Sequence, residues 1–351
     1  MISDLLREEI KGFKNYEVND IECKYKMDAN ETPFRLPERT MEALSEIIAA
    51  ANVNRYPDPI SRKLKRKLSE YLGVSEENIM IGNGGDELIH LIMLSFVNKN
   101  DGVVYPLPSF AMYKVYSQIA GAKQIEVSLN EDYSYDVDKF SDAIDKYNPK
   151  VIILCTPNNP TGNVMKREDI IKILQLKKGI VVVDEAYYEF DGETVVDLIN
   201  KYENLIVLRT MSKAFSLAGI RVGYLAANPE IIKCLNLVKA PYNVNSVSQA
   251  LALNVLESEV FKDRIEYIIN ERQYLYEGLK GINGIKLYPS RANFILAKFQ
   301  DADYVYKSLI ERGILVRNFS NSPGLCGTLR ITVGTREANN YLIKCLKEVL
   351  A

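Results

Sequence analysis

Two kinds of hydrophobic pattern divide the chain. Between residues 78 and 227, compact runs of β-branched and other apolar residues alternate with stretches whose apolar positions recur at helical spacing. Runs that are apolar at every position are typical of parallel strands buried on both faces. The pattern therefore predicts a mainly parallel sheet within a three-layer α/β/α unit. The predicted strands lie in the segments NIMIGN, GVVYP, VIILCTP, GIVVVDEAY, NLIVLRTMSK and RVGYLAA.

The pattern changes after about residue 245. A long helical stretch runs from 246 to 281, and the short strand candidates ANFILAKF, GILVRNF and TLRITVG follow it. We interpret this part as a smaller α+β unit, and the segment before Glu46, which shows no regular pattern, as its complement. The predicted division is a large domain of residues 46–245 and a small domain built from residues 1–45 and 246–351.

Composition supports two domains and argues against several classes of partner. The chain has 351 residues, more than the roughly 250 to 300 residues at which single cores stop growing. Its 44 basic and 46 acidic residues are spread along the chain and give a formal charge of −2, so we expect neither nucleic acid nor a membrane as partner. Two domains predict a cleft between them.

The N-terminal sequence and the metal-ligand residues point to a cytoplasmic protein without a metal site. The first 16 residues alternate charged and apolar positions and contain no apolar core of a signal peptide. Five scattered cysteines without a C-x-x-C pair suit a reducing compartment. The single histidine, His90, leaves little basis for a histidine metal site.

The first candidate motif is GNGGDELIHLIML, a glycine turn that opens an apolar helix. The first amides of that helix, at Gly85, Asp86 and Glu87, would be unpaired and suited to bind a phosphate group. A plain glycine turn with Asp86 as helix cap remains the alternative. Gly82 and Gly84 begin a dinucleotide fingerprint, but Glu87 occupies the third glycine position, which argues against a nucleotide-dependent dehydrogenase.

Polar residues also follow the next strands, where ligands bind in open α/β sheets. In TPNNPTGN, flanking prolines would hold Asn159 as a positioned hydrogen-bond donor, or would simply make a rigid turn. Asp184 follows four apolar residues, so its burial would require a cationic partner unless it caps a helix. Tyr187 adds a phenol three residues later.

The segment SKAFSLAGIRVGY places Lys213 among small residues and Arg221 eight positions later. Alone, such a lysine is most often simply solvated. Together the strand ends predict a phosphate cradle beside a carboxylate, a phenol, an amide and an amine. A phosphorylated heteroaromatic aldehyde, bound covalently through Lys213, accounts for all of them. The predicted cradle consists of Gly85, Asp86, Ser212 and Arg221.

These motifs resemble those of the fold-type I pyridoxal-phosphate-dependent aminotransferases, class II, most closely the histidinol-phosphate aminotransferase branch. The resemblance runs from about residue 28 to 336 in family order. The motifs that carry it are DANETPF, NRYPDP, GNGGDE, PLPSFAMY, TPNNPTGN, DEAYYEF, RTMSKAFSLAGIRVGY, APYNVNSVSQ, SRANFIL, GILVR and LRITVGT.

The resemblance implies pyridoxal 5′-phosphate as cofactor. Lys213 would hold it covalently and then move the substrate proton, while Asp184 would keep its pyridine nitrogen protonated. Asn159 and Tyr187 would hydrogen-bond its phenolic oxygen, and Phe110, where many relatives have tyrosine, would stack on the ring. Its phosphate would bind Gly85, Asp86, Ser212 and Arg221, together with Tyr56 from the partner subunit of a homodimer.

For substrates, the resemblance implies L-histidinol phosphate and glutamate or 2-oxoglutarate, as in histidine biosynthesis. Arg330 would bind the α-carboxylate of the amino acid, and Arg317 would bind the phosphate of histidinol phosphate, with residues near Asn30. A surface salt bridge is the alternative role for either arginine.

Three other functions remain possible at this point. An aromatic-amino-acid aminotransferase or a threonine-phosphate decarboxylase would keep the same cofactor residues. A catalytically silent regulatory protein of the same fold would have lost Lys213 or Asp184 and gained a DNA-binding domain; the sequence shows neither change.

Overall fold

The large sheet is mainly parallel, as the apolar strand pattern predicts. The computed structural model describes residues 2–13, 21–50 and 53–351. Within these residues one sheet has the strand order β2-β8-β7-β6-β5-β3-β4, in which β8 runs antiparallel to both of its neighbours and the other pairs are parallel. Its strands are β2 (Ile79–Gly82), β3 (Gly102–Leu107), β4 (Lys123–Ser128), β5 (Val151–Cys155), β6 (Ile180–Asp184), β7 (Leu205–Thr210) and β8 (Gly223–Ala227).

Helices cover both faces of this sheet and make the three layers. One hydrophobic core joins the sheet to α3, α4 and α7, and another joins the opposite face to α5 and α6. The α/β fold class is therefore confirmed. The helices up to this point in the chain are α1 (Glu38–Ala50), α2 (Arg62–Leu72), α3 (Gly84–Phe96), α4 (Ala111–Ile119), α5 (Val137–Tyr147), α6 (Arg167–Gln175) and α7 (Pro229–Asn236).

A second sheet has the order β1-β11-β12-β10-β9 within the described residues. The N-terminal strand β1 pairs parallel with β11, and the remaining neighbours are antiparallel. This pairing brings the two ends of the chain together. The strands are β1 (Tyr25–Met27), β9 (Ile285–Tyr288), β10 (Phe294–Phe299), β11 (Ile314–Asn318) and β12 (Thr328–Thr332), and the helices are α8 (Ser246–Ser258), α9 (Phe261–Lys280), α10 (Ala302–Glu311) and α11 (Arg336–Val349).

The predicted strands of the large unit are all present, but the sequence pattern missed others. Strand β4 reads KQIEVS and buries alternate residues only, so it lacks the continuous apolar run of a central strand. The helical stretch from 246 to 281 is two helices, because Glu259 takes a left-handed conformation with φ of 52° between them.

The prediction of an irregular segment before Glu46 was wrong in two places. Strand β1 obtains its order from pairing with β11, and α1 begins at Glu38, directly after Pro37. Thr40 is the one buried residue of α1, so this helix contributes little to the core. The boundary near residue 46 thus falls inside a helix, and the division into domains remains our proposal.

The residues near the N-terminus also contact the large unit. The guanidinium of Arg7 donates a hydrogen bond of 2.9 Å to the carbonyl of Ile119 at the end of α4, and Glu9 pairs with Lys99 at 2.9 Å. Across the described ranges, no helix is both long and apolar enough to cross a membrane. In the same part of the chain, His, Cys, Asp and Glu side chains form no group of three or more that could hold a metal ion.

Candidate active site

Asp184 ends strand β6 and is buried, with 5% of its surface exposed. Its Oδ2 accepts a hydrogen bond of 2.6 Å from the hydroxyl of Tyr113, and its Oδ1 accepts one of 3.0 Å from the amide of Ala186. Burial raises the pKa of Asp184 to about 6, while both hydrogen bonds act in the opposite direction. The carboxylate is therefore poised to pair with a cationic group.

Lys213 lies in the loop after β7, and its amine donates a hydrogen bond of 3.0 Å to the carbonyl of Ala29. The amine is also 6.0 Å from the ring centre of Tyr187. Burial and then the positive charge of Arg330 lower the pKa of Lys213 to about 8. An appreciable fraction of this amine is therefore neutral, and so nucleophilic, near neutral pH.

The predicted phosphate cradle lies where α3 begins. The guanidinium of Arg221 is 3.1 Å from the Asp86 carboxylate and 3.5 Å from the Ser212 hydroxyl. Arg221 takes a left-handed backbone conformation, with φ of 54°, at the turn into β8. The structure therefore brings a guanidinium, a hydroxyl and a helix N-terminus together.

Two glycines shape this cradle. A methyl group on Gly223 of β8 would lie 2.6 Å from the backbone of both Gly84 and Gly85, so the start of α3 packs directly on the strand. A methyl group on Gly85 would meet nothing within 4 Å, so there is open space beside its α-carbon. The first amides of α3 have no partner within the helix and are suited to an anion.

Asn159 and Arg330 meet although they are far apart in the sequence. Arg330, in β12, donates from Nη1 to Oδ1 of Asn159 at 2.5 Å and from Nη2 to the carbonyl of Asp28. Because Oδ1 accepts from the guanidinium, the Nδ2 donor of Asn159 points elsewhere. Arg330 thus links the large sheet, the small sheet and the N-terminal segment.

Tyr187 is 3% exposed, and its hydroxyl accepts a hydrogen bond of 2.9 Å from Nδ2 of Asn30. Asn30 has a left-handed φ of 54°, and its backbone amide donates to the Thr332 hydroxyl at 3.0 Å. The carbonyl of Asn30 accepts from the Asn293 amide at 3.0 Å. These bonds fix Asn30 beside the Lys213 loop.

Arg317 lies on β11 directly opposite Arg330 on β12. Both guanidinium groups approach the ring of Phe319, at 5.9 Å and 5.7 Å from its centre. Directly opposite residues on antiparallel strands project from the same face of the sheet. The two predicted substrate arginines are therefore neighbours.

Phe110 immediately precedes α4 and lies edge-on to Tyr113, with ring centres 5.6 Å apart and planes at 83°. Tyr56 stands apart from the residues described above: it is 81% exposed and stacks on Tyr242 with ring centres 4.6 Å apart.

Sequence reasoning missed Tyr113. In PLPSFAMY it looks like an ordinary apolar position of an amphipathic helix, and the structure does bury it completely. The available signal was its place three residues after Phe110, which puts both rings on one side of α4. The backbone carbonyls of Asp28 and Ala29 accept hydrogen bonds from Arg330 and Lys213. Every residue has such a carbonyl, so no side chain in the sequence marks these two.

The fold is that of an α/β enzyme, and the candidate site lies at the carboxyl ends of its parallel strands. The chain belongs to the family described as aminotransferase class I and II, whose model matches residues 23–346. It is 63% identical over 350 residues to a histidinol-phosphate aminotransferase of Thermoanaerobacter sp. (strain X514), covering 100% of each chain. The resemblance seen in the sequence motifs is confirmed.

Solved structures agree with this assignment. The crystal structure of the histidinol-phosphate aminotransferase from Clostridium acetobutylicum is similar, with a TM-score of 0.85 and 28% identity, over 93% of this chain and 98% of that one. The enzyme of the same name from Sinorhizobium meliloti, in complex with pyridoxal-5′-phosphate, has a TM-score of 0.86 and 26% identity, over 94% of this chain and 91% of that one.

Proposed function

We propose that this protein uses pyridoxal 5′-phosphate to move an amino group between L-histidinol phosphate and 2-oxoglutarate, forming imidazole acetol phosphate and glutamate in histidine biosynthesis. The observation that carries the proposal is a lysine amine of lowered pKa, Lys213, which directly follows Ser212 of the anion cradle. It lies in the loop after β7, and β7 pairs with the strand that ends at the buried Asp184 carboxylate. Full-length similarity at 61–63% identity to histidinol-phosphate aminotransferases supports the choice of substrates.

The residues present fit this cofactor. Open space at Gly85, the first amides of α3, and the side chains of Ser212 and Arg221 suit a phosphate dianion. Asp184, buried and of raised pKa, gains stability from a cationic partner such as a protonated pyridine nitrogen. When bound, the cofactor supplies an electron-withdrawing ring that stabilises negative charge at the substrate α-carbon.

The chain's own residues then orient the ring and move the proton. Phe110 would cover one face of the ring, and Asn159 and Tyr187 would donate hydrogen bonds to its phenolic oxygen. Because Oδ1 of Asn159 and the oxygen of Tyr187 already accept bonds, their own hydrogens remain for this purpose. The Lys213 amine would act as the base that takes the proton from the substrate α-carbon and as the acid that later gives it back.

The two neighbouring arginines bind the anionic groups of both substrates. Arg330 is held by Asn159 and the Asp28 carbonyl, so its guanidinium is positioned for the α-carboxylate of glutamate. Arg317, opposite it in register, binds the phosphate of histidinol phosphate, with help from residues near Asn30. A pair of adjacent cations lets one site accept a phosphate monoester and a dicarboxylate in turn.

The active form in this proposal is a homodimer in the cytoplasm. Tyr56 is exposed in the single chain and stacked on another exposed aromatic residue, Tyr242, which supports an interface at this surface. From there Tyr56 would reach the cofactor phosphate of the partner subunit. Each site is then complete only when two subunits associate.

A single-turnover experiment tests the substrate assignment. The purified protein, loaded with pyridoxal phosphate, is mixed with L-histidinol phosphate in the absence of a keto acid, and the absorbance spectrum is followed. We expect one equivalent of cofactor to convert to the pyridoxamine form, because a ping-pong enzyme completes the first half-reaction alone. Adding 2-oxoglutarate should restore the original spectrum.

The control is the Lys213→Ala variant, which should show no conversion. A spectrum that ignores L-histidinol phosphate but changes with phenylalanine or tyrosine would replace this proposal with an aromatic-amino-acid aminotransferase. Release of carbon dioxide from threonine phosphate would indicate the decarboxylase instead.

A further inference from the structure

The hydroxyl of Tyr113, on helix α4, contacts the buried carboxylate of Asp184. Tyr113 belongs to α4 and is 0% exposed, and its hydroxyl is 2.6 Å from Oδ2 of Asp184. Bonds of 2.5 to 2.7 Å between a hydroxyl and an ionised oxygen are typical of charge-assisted hydrogen bonds. A phenol hydroxyl has one hydrogen, so this bond determines the direction in which the hydroxyl of Tyr113 points.

The hydrogen bond from Tyr113 shifts the equilibrium between the protonated and ionised forms of Asp184. Burial disfavours the carboxylate and raises its pKa, whereas the hydrogen bond from Tyr113 favours the charged form. The amide of Ala186 holds the other oxygen at 3.0 Å. With one fixed donor on each oxygen, the carboxylate has a set orientation and keeps a lone pair on each oxygen for a further partner.

The same helix also carries the proposed stacking residue. Phe110 stands at the N-terminus of α4, and its ring meets that of Tyr113 edge-on at 5.6 Å. Helix α4 therefore carries two residues of the proposed site. Phe110 would contact the face of the cofactor ring, and Tyr113 contacts the carboxylate that would lie opposite the ring nitrogen. Any shift of α4 would change both contacts.

We propose that Tyr113 is a positioning residue that keeps Asp184 ionised and aimed at the pyridine nitrogen of the cofactor, so that the proton stays on that nitrogen. The inference rests on the proposed cofactor function. Without the hydroxyl, Asp184 would be a more basic buried carboxylate, and the proton shared with the nitrogen would move toward the carboxylate. The ring would then withdraw electrons less strongly.

The test is Tyr113→Phe, which removes only the hydroxyl. The holoenzyme is prepared with pyridoxal phosphate labelled with ¹⁵N in the ring, and the nitrogen chemical shift is measured by NMR at fixed pH. We expect the wild type to give a protonated signal and Tyr113→Phe to move toward the unprotonated value. We also expect kcat to fall roughly tenfold with KM within about twofold, since a hydrogen bond to a charged group is lost.

Tyr105→Phe is the matched control. Tyr105 is also buried, at 3% exposed, and its hydroxyl contacts a different carboxylate, that of Glu126, at 3.3 Å. This variant should leave the nitrogen signal and kcat unchanged. An unchanged nitrogen signal in Tyr113→Phe would overturn the inference, whereas failure of the wild type to bind the cofactor would overturn the proposed function itself.

The Asp184→Asn background supplies a second, independent measurement. If Tyr113 acts through the carboxylate, adding Tyr113→Phe to Asp184→Asn should change kcat by less than about twofold. Should Tyr113→Phe alone not fold, a folded double variant would support the inference, because the charge is what requires the hydroxyl. Failure of both to fold would assign Tyr113 a purely structural role and overturn it.

Discussion

Arg317 and Arg330 lie directly opposite each other on strands β11 and β12, and both guanidinium groups lie within 6 Å of the ring centre of Phe319. Like charges directly opposite each other on a sheet repel, and an anion bound beside them reduces that repulsion. The pairing therefore supports a site for anionic substrates. Substituting one arginine at a time separates the contributions of the two residues to substrate binding.

Replacing Arg317 should discriminate between the substrates. In Arg317→Gln we expect kcat/KM for L-histidinol phosphate to fall at least tenfold more than kcat/KM for glutamate, because a charge-assisted phosphate contact is worth about 1.5 to 3 kcal/mol. The measurement is the single-turnover rate of each half-reaction as a function of substrate concentration, which gives kcat/KM for that substrate. Arg330→Gln is the matched variant and should harm glutamate more. Equal losses for both substrates in Arg317→Gln would place the phosphate site elsewhere.

Lys213→Ala should abolish covalent capture of the cofactor and turnover while leaving the fold intact. In the wild type, borohydride reduction should attach the cofactor to the peptide that contains Lys213, as measured by mass spectrometry, because this amine has a lowered pKa and is nucleophilic near neutral pH. The control is Lys65→Ala, which removes another lysine whose pKa is lowered by burial. Covalent capture in Lys213→Ala at the wild-type level would refute the assignment.

The role of Tyr56 can be tested by mixing subunits that carry different substitutions. Tyr56→Phe should weaken cofactor binding roughly tenfold through loss of a phosphate hydrogen bond. If Tyr56 acts across the interface, a mixed dimer of one Tyr56→Phe subunit and one Lys213→Ala subunit contains one site with both residues intact. We therefore expect the mixed dimer to bind cofactor at that site with wild-type affinity, measured by fluorescence titration. Weakened binding at every site of the mixed dimer would mean that Tyr56 serves its own subunit.

Glu189 should make the stability of the cofactor-free protein depend on pH. Burial raises the pKa of Glu189 to about 7, against the opposing charge of Arg209, with Glu185, Tyr71 and Tyr224 also close by. The folded pKa exceeds the ordinary value of 4.5, so the stabilisation from Glu189 is complete below about pH 4.5 and is lost as pH rises through about 7.

The measurement is urea unfolding of the wild type and Glu189→Gln at several values between pH 5 and pH 8. We expect the free energy of unfolding of the wild type to fall relative to the variant by at most about 3 kcal/mol over this range. The exposed neighbour Glu193, replaced by Gln, is the control and should follow the wild type. Parallel curves for wild type and Glu189→Gln would contradict the prediction.

Local sequence pattern was sufficient for the central sheet and for the residue types of the site. The runs around Ile153 and Val182 are apolar at every position, and such a pattern is compatible with a strand buried on both faces. The turn residues and the glycines after these strands then indicate where a ligand would bind. Lys213 and Asp184 are predicted as site residues in this way, because polar residues directly after buried strands are conspicuous in the sequence.

The contacts between these residues could not be read from the same pattern. Arg330 meets Asn159 across 171 positions of sequence, and Asn30 meets Tyr187 across 157. Tyr113 looks like a core residue until the packing of α4 on the sheet brings its hydroxyl to Asp184. Hydrophobic periodicity reports which face of an element is buried, but it does not specify which distant element covers that face. The partners, and with them the pKa values and orientations of the site, depend on how the two sheets and the N-terminal segment pack together.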